Sequence, residues 1–250
     1  MDAFIVAVAT SKFGHFPDMT PRQMTADIYR AVHKDAGSEL DGRIDAIYFG
    51  SCFLDHWGQS ITRGQACLHP LIRSGEVPAR APIYNVEGAC ATGSIAFRSA
   101  VLDVVSGLSD FALAMGVEKL FDPVNRADLV AKFEGGTAPF DKAEIRADYA
   151  EAAAQIGASF SPVGPYTFPM ATYAVQAQYH IQKYGLTQED LALCAAKNYG
   201  HAVSNPVAYH QRALSVEQVL ADKPVVHPFT RSMCSPMTDG AAAVIVCNGN

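Results

Sequence analysis

The apolar positions of this chain switch between two periods through its first 120 residues. Phe4–Thr10 is a nearly unbroken apolar run of strand length, which predicts a buried core strand beginning near Ala3. Thr20-Pro21-Arg22-Gln23 then offers an N-cap, a proline at the first helical position and a glutamine at the third. Met24, Ile28 and Val32 follow at every fourth position and predict an amphipathic helix to about Ala36, ended by Gly37. Ile44–Phe49 reads as a second strand, Gly50–Ser60 as a loop, Ile61–Ile72 as a helix and Ile83–Val86 as a short strand. From Ile95 to Leu108 only Arg98 and Asp103 are charged. A helix apolar nearly all round belongs inside a core, so this one is expected to be interior. Gly107 is placed to end it, and Phe111–Val117 returns as a strand. Strands alternating with helices predict an α/β fold: a mostly parallel mixed sheet, layered with helices, around one buried helix.

The pattern changes after Leu120. Gly135-Gly136, Pro139, Pro162, Gly164 and Pro165 interrupt a charged stretch, with an alanine-rich helix expected over Ile145–Gly157. Met170–Tyr184 reads as a helix, and Thr187 caps another from Gln188 to Gly200. Val216–Leu220 is a further helical piece, Val225–His227 a short strand and Ala241–Cys247 a clear one. The expected organisation is a core at residues 1–120, a mainly helical insertion at 121–230 and a return to the core at 231–250.

The segment Ile83–Leu120 carries the candidate chemistry. Cys90 falls where a strand hands over to the apolar helix, so free N–H groups and the positive end of a helix dipole converge on it. Such groups favour a thiolate and can hold a developing oxyanion. Gly88, Ala89, Ala91 and Gly93 leave room for a carbonyl to approach. A packed, inert cysteine in a small-residue turn accounts for the same residues equally well.

Composition narrows the setting. Hydrophobic residues make up 49% of the chain, enough for a sizeable core, and the net charge of −6 with no Lys/Arg-rich run argues against nucleic acid as a partner. No uncharged apolar stretch reaches the roughly 18–20 residues that span a bilayer, and no basic segment precedes the first apolar run. The six cysteines, Cys52, Cys67, Cys90, Cys194, Cys234 and Cys247, form no C-x-x-C pair, which fits a reducing cytoplasm. His180, His201, His210 and His227 match no zinc spacing, so no metal is expected. His56 and Trp57 have no spacing that assigns them a role.

Cys90-Ala91-Thr92-Gly93-Ser94 with Gly116-Val117-Glu118-Lys119 resembles the nucleophile region of thiolases, above all the sterol-carrier-protein-type branch. Asp239-Gly240-Ala241-Ala242-Ala243 resembles the motif leading into the last strand of the thiolase N-terminal half, and Lys197-Asn198 and Asn205-Pro206 resemble its loop region. The resemblance implies a thiolase-like layered fold with an inserted loop domain covering the site. It makes Cys90 the acyl-accepting nucleophile for a 3-oxoacyl-CoA, with coenzyme A as co-substrate and no permanently bound cofactor. It places Ser235 near the pantetheine arm, with a turn serine as the equal alternative. Met170 would border the acyl pocket, although Pro169 stands where classical thiolases have histidine and core packing suits Met170 as well. Asp239 and Gly240 read as structural. The branch suggests bulky, branched, sterol-derived or aromatic acyl groups, lipid metabolism by β-oxidation, a homodimer or larger oligomer pairing through Pro82–Val86, and a zinc-ribbon/OB-fold partner.

Thiolases consist of two similar halves, and these residues resemble the first half and the loop domain only. The family's general-base histidine, second cysteine and asparagine motif belong to the other half and do not occur here. The expectation is therefore either a partial record of a longer protein or a site completed by a separate chain, with the exposed helix face driving association. Two rivals remain: a retro-aldolase-like relative, against which Cys90 counts, and a non-catalytic acyl-CoA or lipid-binding subunit.

Overall fold

The computed structural model describes residues 2–37, 40, 42–136 and 141–249. Pro139, one of the expected helix breakers, lies outside them. The chain divides into two compact units, the first made of 1–121 and 238–250, the second of 122–237. The segment 231–237, expected with the final strand, belongs to the second unit.

In the first unit, β1 (Ala3–Thr10), β2 (Ala46–Gly50), β3 (Ile83–Val86), β4 (Phe111–Glu118) and β7 (Gly240–Asn248) form one sheet in the order β1-β7-β4-β2-β3. β3, β2 and β4 are parallel, and β7 runs antiparallel to both β4 and β1. Four of the five strands thus share a direction, giving the mostly parallel mixed sheet that the alternating pattern implies. Helices α1 (Pro21–Ala36) and α2 (Arg63–Ser74) cover one face, and α3 (Thr92–Val105) packs on the other.

Residue size explains this layering. Along β4, Leu113, Met115 and Val117 point into the cluster with Met24, Ile28 and Val32 of α1 and Leu68 and Leu71 of α2. The alternate residues, Ala112 and Ala114, meet Ala96, Ala100 and Val104 of α3. Small side chains on both partners let that helix lie close to the sheet. The expected start of α1 is present as a complete capping box: the Gln23 N–H donates to the Thr20 hydroxyl, and the Thr20 N–H to the Gln23 side chain.

Two elements depart from the sequence reading in burial, not in position. β1 is an edge strand with only Ala7 buried, while Phe4, Ile5, Val6 and Val8 are exposed. An apolar run cannot say which of its faces is covered. α3 buries Thr92, Ala96, Ala100 and Val104 alone; Leu102 is 48% exposed and Leu108, just beyond the helix, 80%. Among the described residues of the first unit, the helix expected to be interior has cover on one side only.

The second unit is mainly helical: α4 (Arg126–Lys132), α5 (Lys142–Gln155), α6 (Phe168–Tyr184), α7 (Gln188–Ala202) and α8 (Val216–Leu220), with an antiparallel pair, β5 (Pro224–Val226) and β6 (Phe229–Thr230). Thr187 and Ser215 complete capping boxes on α7 and α8. The sequence reading missed α4, whose seven residues carry too little period to detect. Buried Gln178 fastens the α5–α6 connection, accepting from the Ser159 N–H at 3.1 Å and donating to the Ser159 and Ala174 carbonyls.

Candidate active site

β3 ends at Val86, and Gly88 to Ala91 turn the chain into α3. The turn is built by close approach and by one strained residue. A Cβ on Gly88 would stand 2.1 Å from the Ile95 side chain, so space demands this glycine. Its φ of −168° is ordinary extended backbone. The sharp bend falls on Ala89, not on Gly88: the Ala89 φ of +48° lies in the left-handed region.

Hydrogen bonds hold that conformation. The Ala89 N–H donates to the Glu87 carboxylate at 2.5 Å. The Ala89 carbonyl accepts from the Thr92 hydroxyl at 2.7 Å and the Cys52 thiol at 3.2 Å. Thr92 in turn accepts from the Gly88 N–H at 2.9 Å. Cys90, next in sequence, is exposed. Helix α3 has no side-chain N-cap, in contrast to α1, α5, α7 and α8. The Ala91 N–H donates to the Gly88 carbonyl at 3.0 Å and the Thr92 N–H to the Ala89 carbonyl, so what this uncapped start offers beside Cys90 is the positive end of the helix dipole.

Behind the turn lies a support in which the sequence reading quoted Glu118 as part of a motif but assigned it no role. Glu118, at the end of β4, accepts from the Cys52 N–H at 2.8 Å, the Phe53 N–H at 3.0 Å and the Ser51 hydroxyl at 3.2 Å. Burial pushes its carboxyl above the usual glutamate range, and the two backbone donors oppose that shift. The Cys52 Sγ lies 3.0 Å from the Thr92 hydroxyl, and burial pushes its thiol up to about 11. Burial likewise raises Cys67, Cys234 and Cys247. A charged pair ending the apolar β4 was the available signal for Glu118. Nothing local pointed to Cys52.

Asp239 is fully buried and bonds three backbone amides: Phe16 at 2.9 Å, Leu120 at 2.8 Å and Phe121 at 2.7 Å. Lys119 donates to the Phe16 carbonyl at 2.6 Å and lies 3.4 Å from Asp239. A Cβ on Gly240 would come within 2.5 Å of the Phe13 ring, so Asp239 and Gly240 pin the loops around the strand ends. Trp57 donates to the Lys119 carbonyl at 2.9 Å and, with Met19, Arg22, Cys67 and Lys119, lines a cleft of about 350 Å³ that does not include Cys90.

Cys90 belongs to the first unit, whereas Met170 and Ser235 belong to the second. Met170 sits half-buried in the first turn of α6, its N–H donating to the Thr167 carbonyl, and Ser235 is exposed after the turn at 231–233. Among the described residues no group of three His, Cys, Asp or Glu side chains is arranged to hold a metal, and no helix is long and apolar enough to cross a membrane.

Residues 3–215 match the thiolase N-terminal domain. Curated relatives include the acetyl-CoA acetyltransferase of Methanothermobacter thermautotrophicus, 33% identical over 98% of this chain and 57% of its own length. The benzoylsuccinyl-CoA thiolase subunit BbsB of Thauera aromatica is 30% identical over 98% of this chain and 55% of its length, and human sterol carrier protein 2 is 31% identical over 98% and 41%. This chain thus spans about half the length of the curated relatives it matches. Among solved structures, the dimeric peroxisomal thiolase of Saccharomyces cerevisiae superposes with a TM-score of 0.69 at 15% identity, over 98% of this chain and 64% of that one. The Ltp2-ChsH2(DUF35) aldolase gives 0.69 at 19%, over 99% and 56%. These likenesses establish a shared fold. With the family match over most of the chain, they lead to one assignment: the chain belongs to the thiolase family, through its N-terminal domain.

Proposed function

We propose that Cys90 is the nucleophile of a thiolase-type acyl transfer on a 3-oxoacyl-CoA. The observation that carries this reading is an exposed cysteine on a strained turn at an uncapped helix start. The thiolate attacks the 3-keto carbon, and the oxyanion that forms is held by the Cys90 N–H. Collapse breaks the bond between the 2- and 3-carbons. The departing acetyl-CoA enolate takes a proton, leaving an acyl thioester on Cys90. Coenzyme A thiolate then attacks that thioester and releases Cys90. Covalent catalysis of this kind divides one hard step into two easier ones. The same steps run backwards form the bond.

The general base, the second cysteine and the asparagine motif come, in this reading, from a thiolase second half outside these residues. The resemblance supports Ser235 as a pantetheine contact and Met170 as a wall of the acyl pocket. The names of sterol carrier protein 2 and of the benzoylsuccinyl-CoA thiolase subunit support a bulky, branched or aromatic acyl group. Exposed Tyr84 on the outer strand β3 supports pairing through Pro82–Val86. The DUF35 component of one structural neighbour supports a small partner subunit, and six free cysteines support a reducing compartment.

Cysteine labelling tests the reading. Cys90 and Cys194 are the exposed thiols. Iodoacetamide at neutral pH is expected to reach Cys90 first, and acyl-CoA to protect Cys90 without protecting Cys194. Incubation with acetyl-CoA should add one acetyl group, absent in Cys90→Ala. Uniform labelling of all six cysteines, or no acyl adduct on Cys90, would favour the non-catalytic binding subunit.

A further inference from the structure

We infer that Cys52 is a positioning residue for Cys90, holding the peptide group whose N–H faces the developing oxyanion. This inference rests on the acyl-transfer reading of Cys90 and adds a residue on a different strand–loop element.

A trans peptide is planar, with its C=O and N–H pointing in opposite directions. The Ala89 carbonyl and the Cys90 N–H belong to one such plane. Whatever grips that carbonyl therefore aims that N–H. Besides the Thr92 N–H, two side chains grip it, the Thr92 hydroxyl from within the turn and the Cys52 thiol from the loop after β2, so Cys52 is the one donor from outside the turn's own residues among these three. The grip matters because Ala89 is held at φ +48°, a conformation that costs an L-residue roughly 1–2 kcal/mol. Without restraint the turn relaxes by rotating about Ala89, and the Cys90 N–H swings with it.

Cys52 suits this task. Its thiol is half-buried and stays protonated at neutral pH, because burial raises it. It is therefore a standing donor and a poor nucleophile, the opposite of what Cys90 must be. Its backbone is fixed in turn, since the Cys52 and Phe53 N–H groups both end on Glu118. The linkage runs from β4 through Glu118 to the Cys52 loop, and from the Cys52 thiol to the Ala89–Cys90 peptide.

The test separates two reactions of the same sulfur. Acetylation of Cys90 by acetyl-CoA passes through a tetrahedral oxyanion. The Cys90 sulfur bonds to the carbonyl carbon, coenzyme A thiolate leaves, and the thiol proton goes to solvent. Alkylation by iodoacetamide displaces iodide at a saturated carbon and forms no oxyanion. In the intact protein, Cys52→Ala is expected to slow acetylation about tenfold and leave alkylation within about twofold, since a small misplacement of a catalytic group costs up to a hundredfold. Cys52→Ser, which keeps a donor on a shorter arm, is expected to recover part of the loss. The ¹⁵N–¹H amide signal of Cys90 should move in Cys52→Ala. Equal loss of both reactions, or unchanged acetylation, overturns the inference. An unmoved Cys90 amide signal overturns it independently of any chemistry. If wild-type Cys90 accepts no acetyl group although its amide signal does shift in the variant, the acyl-transfer reading itself fails, and the catalytic meaning of Cys52 goes with it.

Discussion

The two faces of the first unit's sheet are covered in different ways. On one, α1 and α2 bring long side chains, Met24, Ile28, Leu68 and Leu71, against Ile47, Phe49, Leu113 and Met115, and the layer is closed. On the other, α3 meets the sheet through alanines and then turns a second apolar surface, including Leu102 and Val105, to the outside. The helix starts differ in the same sense. α1 is closed by a reciprocal capping box, whereas α3 has no side-chain cap and begins with a strained turn that presents Cys90. The closed face contributes stability. The open face sets the close approach of helix to sheet and the exposed thiol on which the proposed acyl transfer depends. The contrast teaches that one sheet can be sealed on one face and left partly open on the other by the size of the side chains its helices bring.

Substitutions on the two faces sharpen this contrast. Leu68→Ala, on the closed face, is expected to lower unfolding free energy by about 2–5 kcal/mol in urea titration, because Leu68 is fully buried. Leu102→Gln with Leu108→Gln, on the open face, should change that free energy by no more than about 0.5 kcal/mol. The pair should also reduce self-association of this chain in sedimentation. A wild-type chain that sediments as a clean monomer would count against the open face as an association surface.

A smaller effect is expected at the turn. Gly88→Ala places a methyl group against Ile95 and should destabilise by about 1–3 kcal/mol. Ile95→Ala in the same chain should recover part of that loss. Two losses that merely add would contradict the steric origin.

The smallest effect concerns pH. The Glu118 carboxyl titrates higher in the folded chain than in the unfolded one, because burial disfavours its charge. The unfolded chain therefore releases this proton first. The stability tied to Glu118 is fully present below the ordinary glutamate value and declines as pH rises through the raised one. Glu118→Gln should flatten that decline in urea midpoints taken between about pH 4 and about pH 7. A wild-type midpoint that instead climbs through this window, by a step lost in Glu118→Gln, would reverse the assigned direction.

The sequence alone determined the order of strands and helices in the first unit, the capped start of α1 at Thr20, the end of α3 before Gly107, and Cys90 as the residue at the turn. These are local properties, written in period, in capping side chains and in the residue types that turns admit. Tertiary structure decided what is covered. The run Phe4–Val8 has the composition of a core strand, yet it forms an edge, because burial depends on what lies across the sheet and not on the strand itself. The strain at Ala89 rather than at Gly88, and the meeting of Glu118, Cys52 and Thr92, involve residues up to 66 positions apart along the chain. No local pattern encodes such a meeting, because hydrogen bonds across parallel strands depend on register and on the helix that follows, which exist only once the sheet has formed.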